Sequence, residues 1–252
     1  MRLYDAQVRL GDCLYGYSLR PADLLASMER CDIGRAVLCP ARPRGYDLGP
    51  ANDLVAQAVS AWPDRFVGFA RVDPWRGEAA VRELDRAIQQ LGFRGLFLDP
   101  WEEHFVITDP IVYPIVEAAA ALRLPVMIAG GYPTFSHPSQ IAALARRFPE
   151  VTFIATHAGQ INISGLLLGD AQAMMRACPN VIAETSGVYR EDFIEDCIAE
   201  FGPGRVLWGS GAPIFDQAFE TLRARMAHVS DAVKQQVGWD NIARLVARSP
   251  VA

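Results

Sequence analysis

Eight short strand-like segments alternate with longer helix-like segments along this 252-residue chain. Each strand-like segment is rich in β-branched or aromatic residues, and the segment that follows it spaces its apolar residues as a helix does. This alternation is typical of parallel βαβ units, in which a helix connects consecutive strands. The predicted strands are Arg2–Leu10, Arg35–Pro40, Phe66–Val72, Arg94–Asp99, Pro125–Gly130, Val151–His157, Val181–Ser186 and Arg205–Gly209.

The helix-like segments have apolar faces and recognisable ends. In Glu78–Leu91, for example, Val81, Leu84 and Ile88 fall on one face, and Gly92 follows as a C-terminal cap. A last helix, Asp231–Ala247, is additional, and we expect it to pack across the base of the fold or against the first helix. The other predicted helices begin at Pro21 or cover Asn52–Trp62, Ile111–Leu122, Pro138–Phe148, Asp170–Cys178, Arg190–Phe201 and Phe215–Ala227.

Two α/β architectures are compatible with eight consecutive βα units, a closed barrel and a doubly wound open sheet. A barrel of this kind needs about 250 residues, and this chain has 252. No glycine-rich dinucleotide motif follows a predicted strand, which favours the barrel. We therefore predict one (β/α)8 TIM barrel over residues 1–252, with an extra C-terminal helix.

The composition restricts the partners and the compartment. The formal net charge of −5 provides no basic field for nucleic acid, and no apolar run approaches the length of a membrane span. The five cysteines are an odd number without CxxC spacing, which argues against a disulfide framework, and the N-terminus lacks a signal-peptide layout. We expect a cytoplasmic protein whose partner is a small molecule, and we consider a homodimer as its assembly.

Catalytic groups of such barrels lie at the C-terminal ends of the strands. The only lysine, Lys234, lies in the last predicted helix, so Schiff-base chemistry at the barrel mouth is excluded. Glu102 and Glu103 are expected on a solvated loop, and Cys39 is expected to be a buried thiol. The side chains selected as site candidates are Gln7, Arg9, Arg71, Asp99, Trp101, Tyr132, His157 and Glu184.

Four segments of the sequence together resemble the amidohydrolase-2 family, in its aminocarboxymuconate-semialdehyde decarboxylase-like branch. They are LGFRGLFLDPWEEHFVITDPIVYPIVEAAAALRLPVMIAGG, HPSQIAALARRFPEVTFIATHAG, NVIAETSGV and FGPGRVLWGSGAP. The resemblance covers nearly the whole chain. It implies a (β/α)8 barrel with a divalent metal, usually zinc, in the mouth. It also implies hydrolysis of C–N, C–O or C–C bonds, or decarboxylation or hydration of small carboxylic acids.

The chain departs from this family at every metal-ligand position that the resemblance implies. Gln7 and Arg9 stand where the family has an HxH pair, Ala129 replaces a histidine, and Gly211 replaces an aspartate. None of these four side chains offers the imidazole or carboxylate that zinc takes in such a site, and a guanidinium repels a divalent cation. Only the histidine of the sixth strand, His157, is retained. We therefore expect neither a metal nor another cofactor.

Two functions remain open at this point. The first is a metal-independent enzyme that hydrolyses or decarboxylates a small anionic molecule, with His157 as acid–base group and Asp99 as its orienting partner or as a base. Arg9 and Arg71 then bind the substrate's negative charge, although an ion pair of Arg9 with Asp99 or Glu184 is the structural alternative. The second is a non-catalytic descendant that binds a ligand or a partner subunit.

The accessibility of the mouth distinguishes these two functions. Gln7 and Glu184 are expected to line the pocket of an enzyme, with Trp101 and Tyr132 as its aromatic walls. A concave pocket lined by Arg9, Asp99 and His157 favours the enzyme. A mouth filled by Tyr132 or Phe135 favours the descendant.

Overall fold

Ten strands form in the parts of the chain that the structure, a computed structural model, describes, namely residues 2–160, 167–188, 190 and 192–247. Nine of them overlap predicted strands, and the tenth, β2, forms a short hairpin with β1. They are β1 Leu3–Asp12, β2 Ser18–Leu19, β3 Ile33–Pro40, β4 Phe66–Gly68, β5 Ala70–Arg71, β6 Leu96–Leu98, β7 Val126–Ile128, β8 Phe153–Ala155, β9 Val181–Glu184 and β10 Val206–Leu207.

The strands close into a barrel of eight staves. β1, β3 and β4 are parallel neighbours, and β5 to β10 are parallel neighbours in chain order. β4 and β5 are consecutive pieces of one stave that is interrupted at Phe69. Val8 pairs with Ala212, and the Arg9 amide donates to the Ala212 carbonyl at 2.8 Å, which joins the first stave to the last. The predicted (β/α)8 barrel is therefore confirmed.

Helices follow the staves and cover the outside of the barrel. The segment predicted as Asp231–Ala247 is divided by a π-helical turn at Gln236–Asp240, and it covers the base, where Trp239 packs on Tyr4. Glu191, at the start of the seventh predicted helix, lies outside the described residues. The helices are α1 Pro21–Cys31, α2 Gly49–Ala61, α3 Glu78–Gln89, α4 Tyr113–Ala121, α5 Pro138–Arg147, α6 Leu168–Ala177, α7 Asp192–Phe201, α8 Gln217–Met226, α9 Asp231–Gln235 and α10 Asn241–Val246.

Two hydrophobic layers hold the barrel together. The outer layer packs the staves against the helices, with Leu84 of α3 and Val116 of α4 among its buried members. The lumen is filled from below by side chains such as Phe69, Phe97 and Ile154, and full burial of such a side chain stabilises the fold by about 1.5–3 kcal/mol. Apolar packing therefore closes the barrel from its base, and the polar groups collect at the opposite end. Among the described residues no helix is both long and apolar enough to cross a membrane.

A β-bulge in β1 orients the polar residues of the first stave. Asp5 pairs with Ala36 and Val8 pairs with Leu38, so β1 has one more residue than β3 between these two pairs. Bulges often redirect side chains beside functional sites. Here Asp5 faces α8, where its Oδ2 accepts a hydrogen bond from Gln217 Nε2 at 2.9 Å.

The buried carboxylate of Asp5 joins the first stave to the last. Its two oxygens accept hydrogen bonds from the Ser210 amide at 2.8 Å and from Ser210 Oγ at 2.5 Å, in addition to the bond from Gln217. An Asp5→Ala substitution leaves these buried donors without an acceptor, at about 1–3 kcal/mol each. We expect it to lower the free energy of unfolding by about 3 kcal/mol or more, measured by urea denaturation.

Asp12→Ala is the matched control for this substitution. Asp12 ends the same strand, but its side chain is exposed and pairs with the exposed Arg20. Its loss should change the free energy of unfolding by no more than about 0.5 kcal/mol. Equal effects of the two substitutions would show that Asp5 does not hold the barrel closed.

Candidate active site

The polar residues selected from the sequence line the C-terminal end of the lumen. Arg9 pairs with Cys39 and Arg71 pairs with Phe97, and both partners belong to the lumenal apolar cluster. Because paired residues of neighbouring strands share a face, both guanidiniums point into the lumen. This register fixes the direction in which the Arg71 side chain points. Asp99 and Glu184 are also completely buried there.

Three arginines and three carboxylic residues form one buried network, which we call the mouth ion cluster; its members are Arg9, Arg42, Arg71, Asp99, Glu102 and Glu103. Arg9 Nη1 lies 2.9 Å from Asp99 Oδ2 and 2.9 Å from Glu102 Oε1. Arg71 Nη2 lies 2.6 Å from Glu102 Oε2 and 2.8 Å from Glu103 Oε1. The ion pair given as the structural alternative for Arg9 forms with Asp99, and the described salt bridges do not include a pair of Arg9 with Glu184.

The placement of Glu102 and Glu103 corrects the sequence analysis, which put both on a solvated loop. Each is only 5% exposed. The reason lies in the guanidiniums below them, because a charge that leaves water needs opposite charges and hydrogen bonds around it. The Phe97 ring supplies a further contact, since both Arg9 and Arg71 lie 5.3 Å from its centre.

The ionisation of the cluster follows from burial and from the nearest guanidiniums. Burial alone would raise the pKa of Glu102, yet the adjacent Arg71 and Arg9 together hold that pKa below its ordinary value. Burial raises the pKa of Glu103 to about 8 in spite of its contact with Arg71. Burial also raises the pKa of the Cys39 thiol to about 12, in agreement with an inert buried cysteine. Glu102 is therefore a stable anion held between two cations.

A second network surrounds His157. Its Nδ1 lies 2.8 Å from the Ser186 carbonyl and 3.0 Å from Ser186 Oγ. A carbonyl only accepts, so Nδ1 carries the proton and Nε2 is left as the acceptor of the neutral ring. Ser186 Oγ in turn donates to Glu184 Oε2 at 2.7 Å. Burial lowers the pKa of His157 to about 4 and raises that of Glu184 to about 8.

The expected contact between Asp99 and His157 is not present among the described hydrogen bonds. Asp99 is ion-paired to Arg9, and its Oδ1 accepts from the Glu102 amide at 3.1 Å. Ser186 orients the imidazole instead. Sequence reasoning missed Ser186, although its position two residues after Glu184, at the end of the seventh stave, was a usable signal.

The backbone at His157 adopts an unusual conformation. His157 has φ 56° and Ala158 has φ 51°, in the left-handed region. Such non-glycine residues cost of order 1–3 kcal/mol each and persist where the surroundings hold them in place. The Glu184 carboxylate provides such a hold, because its Oε2 accepts from the His157 amide at 3.3 Å.

The positions at which the family resemblance places metal ligands do not fit a metal. A Cβ atom at Gly211 would lie 2.9 Å from the Phe215 ring and 3.0 Å from Ser186 Oγ, so these two side chains fill the place of a ligand there. The Phe215 ring packs edge-on against the His157 ring at 5.5 Å. Within the described residues no group of three or more histidine, cysteine or acidic side chains is arranged to hold a metal ion.

Several buried donors in the lumen have no partner among the residues that the structure describes. Gln7 Nε2, Arg9 Nε and Arg9 Nη2 are shielded from solvent and form no hydrogen bond with any of those residues. Only the Nη1 atom of Arg9 is used by the mouth ion cluster, while Gln7 Oε1 lies 3.3 Å from Ser186 Oγ, whose proton is donated to Glu184. Unpaired buried donors are uncommon in folded proteins, so these three N–H groups are candidates to bind an acceptor atom of a ligand.

Aromatic side chains cover the mouth. The Trp101 ring stacks on Tyr132 at 5.4 Å and meets Phe135 edge-on at 5.5 Å. Trp101 is 41% exposed, and Tyr132 is half-buried. The two aromatic residues expected as pocket walls are therefore brought together as a cap. A cavity of about 640 Å³, bounded by Pro125, Thr152 and Leu245, lies at the opposite end of the barrel, away from these groups.

The chain is similar to several known proteins. A family model described as amidohydrolase matches residues 15–248. The gamma-resorcylate decarboxylase of Polaromonas sp. (strain JS666 / ATCC BAA-500) is 25% identical over 244 residues, which cover 77% of this chain and 74% of that protein.

Solved structures share the barrel. The crystal structure of 5-carboxyvanillate decarboxylase from Sphingomonas paucimobilis has a TM-score of 0.79 at 22% identity, over 98% of this chain and 99% of that chain. The dihydroxybenzoic acid decarboxylase from Polaromonas sp. JS666, with bound manganese and the inhibitor 2-nitroresorcinol, has a TM-score of 0.75 at 18% identity, over 98% and 97% of the two chains. At these identities the likeness shows the common fold.

The low pKa of His157 predicts a pH dependence of stability. Between pH 6.5, the ordinary value, and about 4, the unfolded chain binds a proton at this residue and the folded chain does not. The stabilisation is therefore complete above pH 6.5 and is lost as the pH falls, by up to about 1.4 kcal/mol per pH unit. Urea denaturation between pH 5 and 7.5 should show that His157→Gln removes this part of the slope.

The slope of stability against pH must be compared between variants, because Glu184 contributes a slope of the opposite sign to that of His157. Its raised pKa, about 8, makes stability fall as the pH rises from 4.5 towards 8. His228→Gln replaces an exposed imidazole by the same amide, and it should keep the wild-type slope. A wild-type slope in His157→Gln would show that His157 takes up its proton equally in the folded and unfolded chains.

Proposed function

The chain belongs to the amidohydrolase family, and on this premise we propose that it is a metal-independent enzyme that decarboxylates a small aromatic carboxylate by acid–base catalysis. The relatives named above are decarboxylases of gamma-resorcylate, 5-carboxyvanillate and dihydroxybenzoic acid. Decarboxylation is therefore preferred here to hydrolysis. The aromatic cap and the buried arginines suit a flat anionic molecule.

The main observation that supports this proposal is the set of unpaired donors of Gln7 and Arg9. Each buried donor without an acceptor costs about 1–3 kcal/mol, and Gln7 Nε2, Arg9 Nε and Arg9 Nη2 are three such atoms at the positions of the family's first two metal ligands. A ligand oxygen that accepts from them removes this cost. These fixed donors stabilise a phenolate oxygen more than a neutral phenolic oxygen, because they stabilise negative charge as it develops.

The neutral His157 supplies the proton transfer. Its Nε2 takes the proton of a substrate hydroxyl ortho to the carboxylate, and the phenolate oxygen is stabilised by Gln7 and Arg9. The imidazolium then returns a proton to the ring carbon that bears the carboxylate. The carbon–carbon bond breaks, its electron pair returns to the ring, and CO2 leaves; the product phenolate takes a proton from water. Ser186 keeps the imidazole oriented throughout.

A second candidate function is a non-catalytic family member that binds a ligand or a partner subunit. The aromatic cap over the mouth, which includes Tyr132 and Phe135, favours it. So do the packing of Phe215 on His157 and the pairing of Arg9 Nη1, because all of these contacts reduce the access of a substrate. The two functions differ in turnover. The second predicts binding of aromatic carboxylates, or of no small molecule, without release of CO2.

Metal independence is tested on the purified protein. Because Gln7, Arg9, Ala129 and Gly211 lack suitable donors, we expect far less than one zinc, manganese or iron ion per chain after mild dialysis. Elemental analysis measures this content. Any CO2 release from hydroxybenzoates should be the same with and without EDTA. About one metal ion per chain, or loss of activity in EDTA, would contradict this part of the proposal.

The role of His157 is tested by turnover per folded molecule. His157→Gln should slow CO2 release from 2,6-dihydroxybenzoate or a related hydroxybenzoate by about 10²–10⁴-fold. Binding of the same compound should persist, because its anionic groups contact other residues. His228→Gln should retain full turnover. Full turnover in His157→Gln would remove the support for catalysis by this residue, and no turnover in the wild type with any hydroxybenzoate would favour the second candidate.

A further inference from the structure

The Glu102 carboxylate is held as a bound ligand would be. Its Oε1 accepts from Arg9 Nη1 at 2.9 Å and from Tyr17 Oη at 2.9 Å, and its Oε2 accepts from Arg71 Nη2 at 2.6 Å. One carboxylate thus meets two guanidiniums and a hydroxyl. Charge-assisted bonds of this kind are the usual means of carboxylate recognition in proteins.

The other two carboxylic groups of the mouth ion cluster have different surroundings, and the Glu102 backbone is itself held, because its carbonyl accepts from Arg42 Nε at 3.3 Å. Asp99 directly follows β6 at the rim of the barrel and is fully buried. Glu103 contacts both Arg71 and Arg42 through Oε1, and its backbone carbonyl accepts from Trp75 Nε1 at 3.1 Å. Glu102 lies in a turn after β6 and is covered on its outer side by the half-buried Tyr17.

We infer that the place filled by the Glu102 carboxylate, between Arg9, Arg71 and Tyr17, is the binding site for the substrate's carboxylate, and that Glu102 leaves it when substrate binds. The inference rests on the proposed function and specifies how the substrate is held. It also makes Glu102 an internal competitor, since the two carboxylates need the same N–H and O–H groups.

The exchange of the Glu102 carboxylate for a substrate carboxylate keeps the buried charges paired. Each guanidinium keeps an anionic partner, so no buried charge is left unpaired when one carboxylate replaces the other. The opening requires movement of the turn that carries Glu102 and its neighbour Trp101, whose ring is partly exposed and rests on Tyr132. An external carboxylate binds only those molecules in which the turn is open. Its apparent affinity is therefore the affinity of the open site multiplied by the fraction of molecules that are open.

The geometry of Arg9 adds a preference for a particular substrate. Nη1 holds the carboxylate position, while Nη2 and Nε of the same guanidinium are the unpaired donors. A planar fork of this kind suits two neighbouring oxygens. A benzoate with an ortho oxygen offers its carboxylate to one side of Arg9 and its hydroxyl to the other. The site thereby favours ortho-hydroxybenzoates over meta and para isomers.

The experiment is a binding measurement that needs no turnover. Benzoate is titrated into the wild type and into Glu102→Gln by isothermal calorimetry, with benzamide as the uncharged probe. Glu102→Gln removes the competing charge and keeps the size of the side chain. We expect benzoate to bind this variant about tenfold or more tightly than the wild type. Benzamide should not gain affinity.

Glu103→Gln is the matched control when all titrations are run at a pH above the Glu103 pKa of about 8, because it then removes a carboxylate from the same arginine, Arg71, without opening the position between Arg9 and Arg71. It should bind benzoate no better than the wild type. In the Glu102→Gln background, Tyr17→Phe deletes one hydrogen-bond donor. It should weaken benzoate binding severalfold relative to Glu102→Gln alone. Equal gains in both glutamine variants, or no gain in Glu102→Gln, would overturn the inference.

Glu102→Asp covers the case in which Glu102→Gln does not fold, judged by circular dichroism and the unfolding midpoint. It keeps the charge but draws the carboxylate back by one methylene. It should bind benzoate more tightly than the wild type; affinity equal to the wild type would overturn the inference.

Failure of the proposed function is recognised separately. If no hydroxybenzoate releases CO2 but Glu102→Gln gains benzoate affinity that depends on Tyr17, the carboxylate site stands and the catalytic proposal falls. If CO2 is released and depends on His157 while Glu102→Gln gains no affinity, the catalytic proposal stands and the carboxylate site falls.

Discussion

Two guanidiniums buried in the lumen, those of Arg9 and Arg71, impose the arrangement of the barrel mouth. An ion that leaves water loses several kcal/mol of hydration, which only nearby opposite charges and hydrogen bonds offset. Glu102 supplies such a charge as a stable anion, and the carboxyl groups of Asp99 and Glu103 supply further contacts, all three from one short segment at the end of β6. The segment must therefore fold inward over the mouth.

This inward fold has consequences for the surface. Because Glu102 reaches down to the arginines, its neighbour Trp101 is carried across the mouth and stacks on Tyr132. The same turn places Glu103 against Arg42 at 3.0 Å, which extends the charged network to the second stave. The aromatic cap is thus a result of charge compensation below it.

The sequence predicted the fold well because its signals are local and repeated. Strand composition, helix periodicity and the eightfold alternation each indicate the barrel, and the family resemblance was confirmed by the match over residues 15–248. The candidate residues were also brought together, since the ends of parallel strands meet at one face of the barrel. Irregular features could not be predicted from the sequence, because the bulge of β1 and the interruption at Phe69 depend on pairing between distant segments.

The errors at the site have a common physical cause. Glu102 and Glu103 were assigned to solvent because charged loop residues usually are exposed, and Asp99 was assigned to His157 by its position alone. Both assignments treated each residue separately. The actual arrangement follows from compensation within the whole cluster, in which two buried arginines bind the carboxyl groups of Asp99, Glu102 and Glu103. The partner of His157 is then a backbone carbonyl, for which side-chain patterns carry no signal.

In the proposed mechanism, fixed donors take the place of a metal ion at the barrel mouth. A metal ion both stabilises negative charge and acidifies the water that it binds. The donors of Arg9 and Gln7 can stabilise an oxyanion, but a guanidinium whose pKa lies far above neutrality does not generate hydroxide. Hydrolysis needs an activated water, whereas decarboxylation of a hydroxybenzoate needs a proton carrier and a stabilised phenolate. Under the proposed function, the neutral imidazole of His157 and the donors of Arg9 and Gln7 provide these two requirements, which is why the proposal names decarboxylation and not hydrolysis.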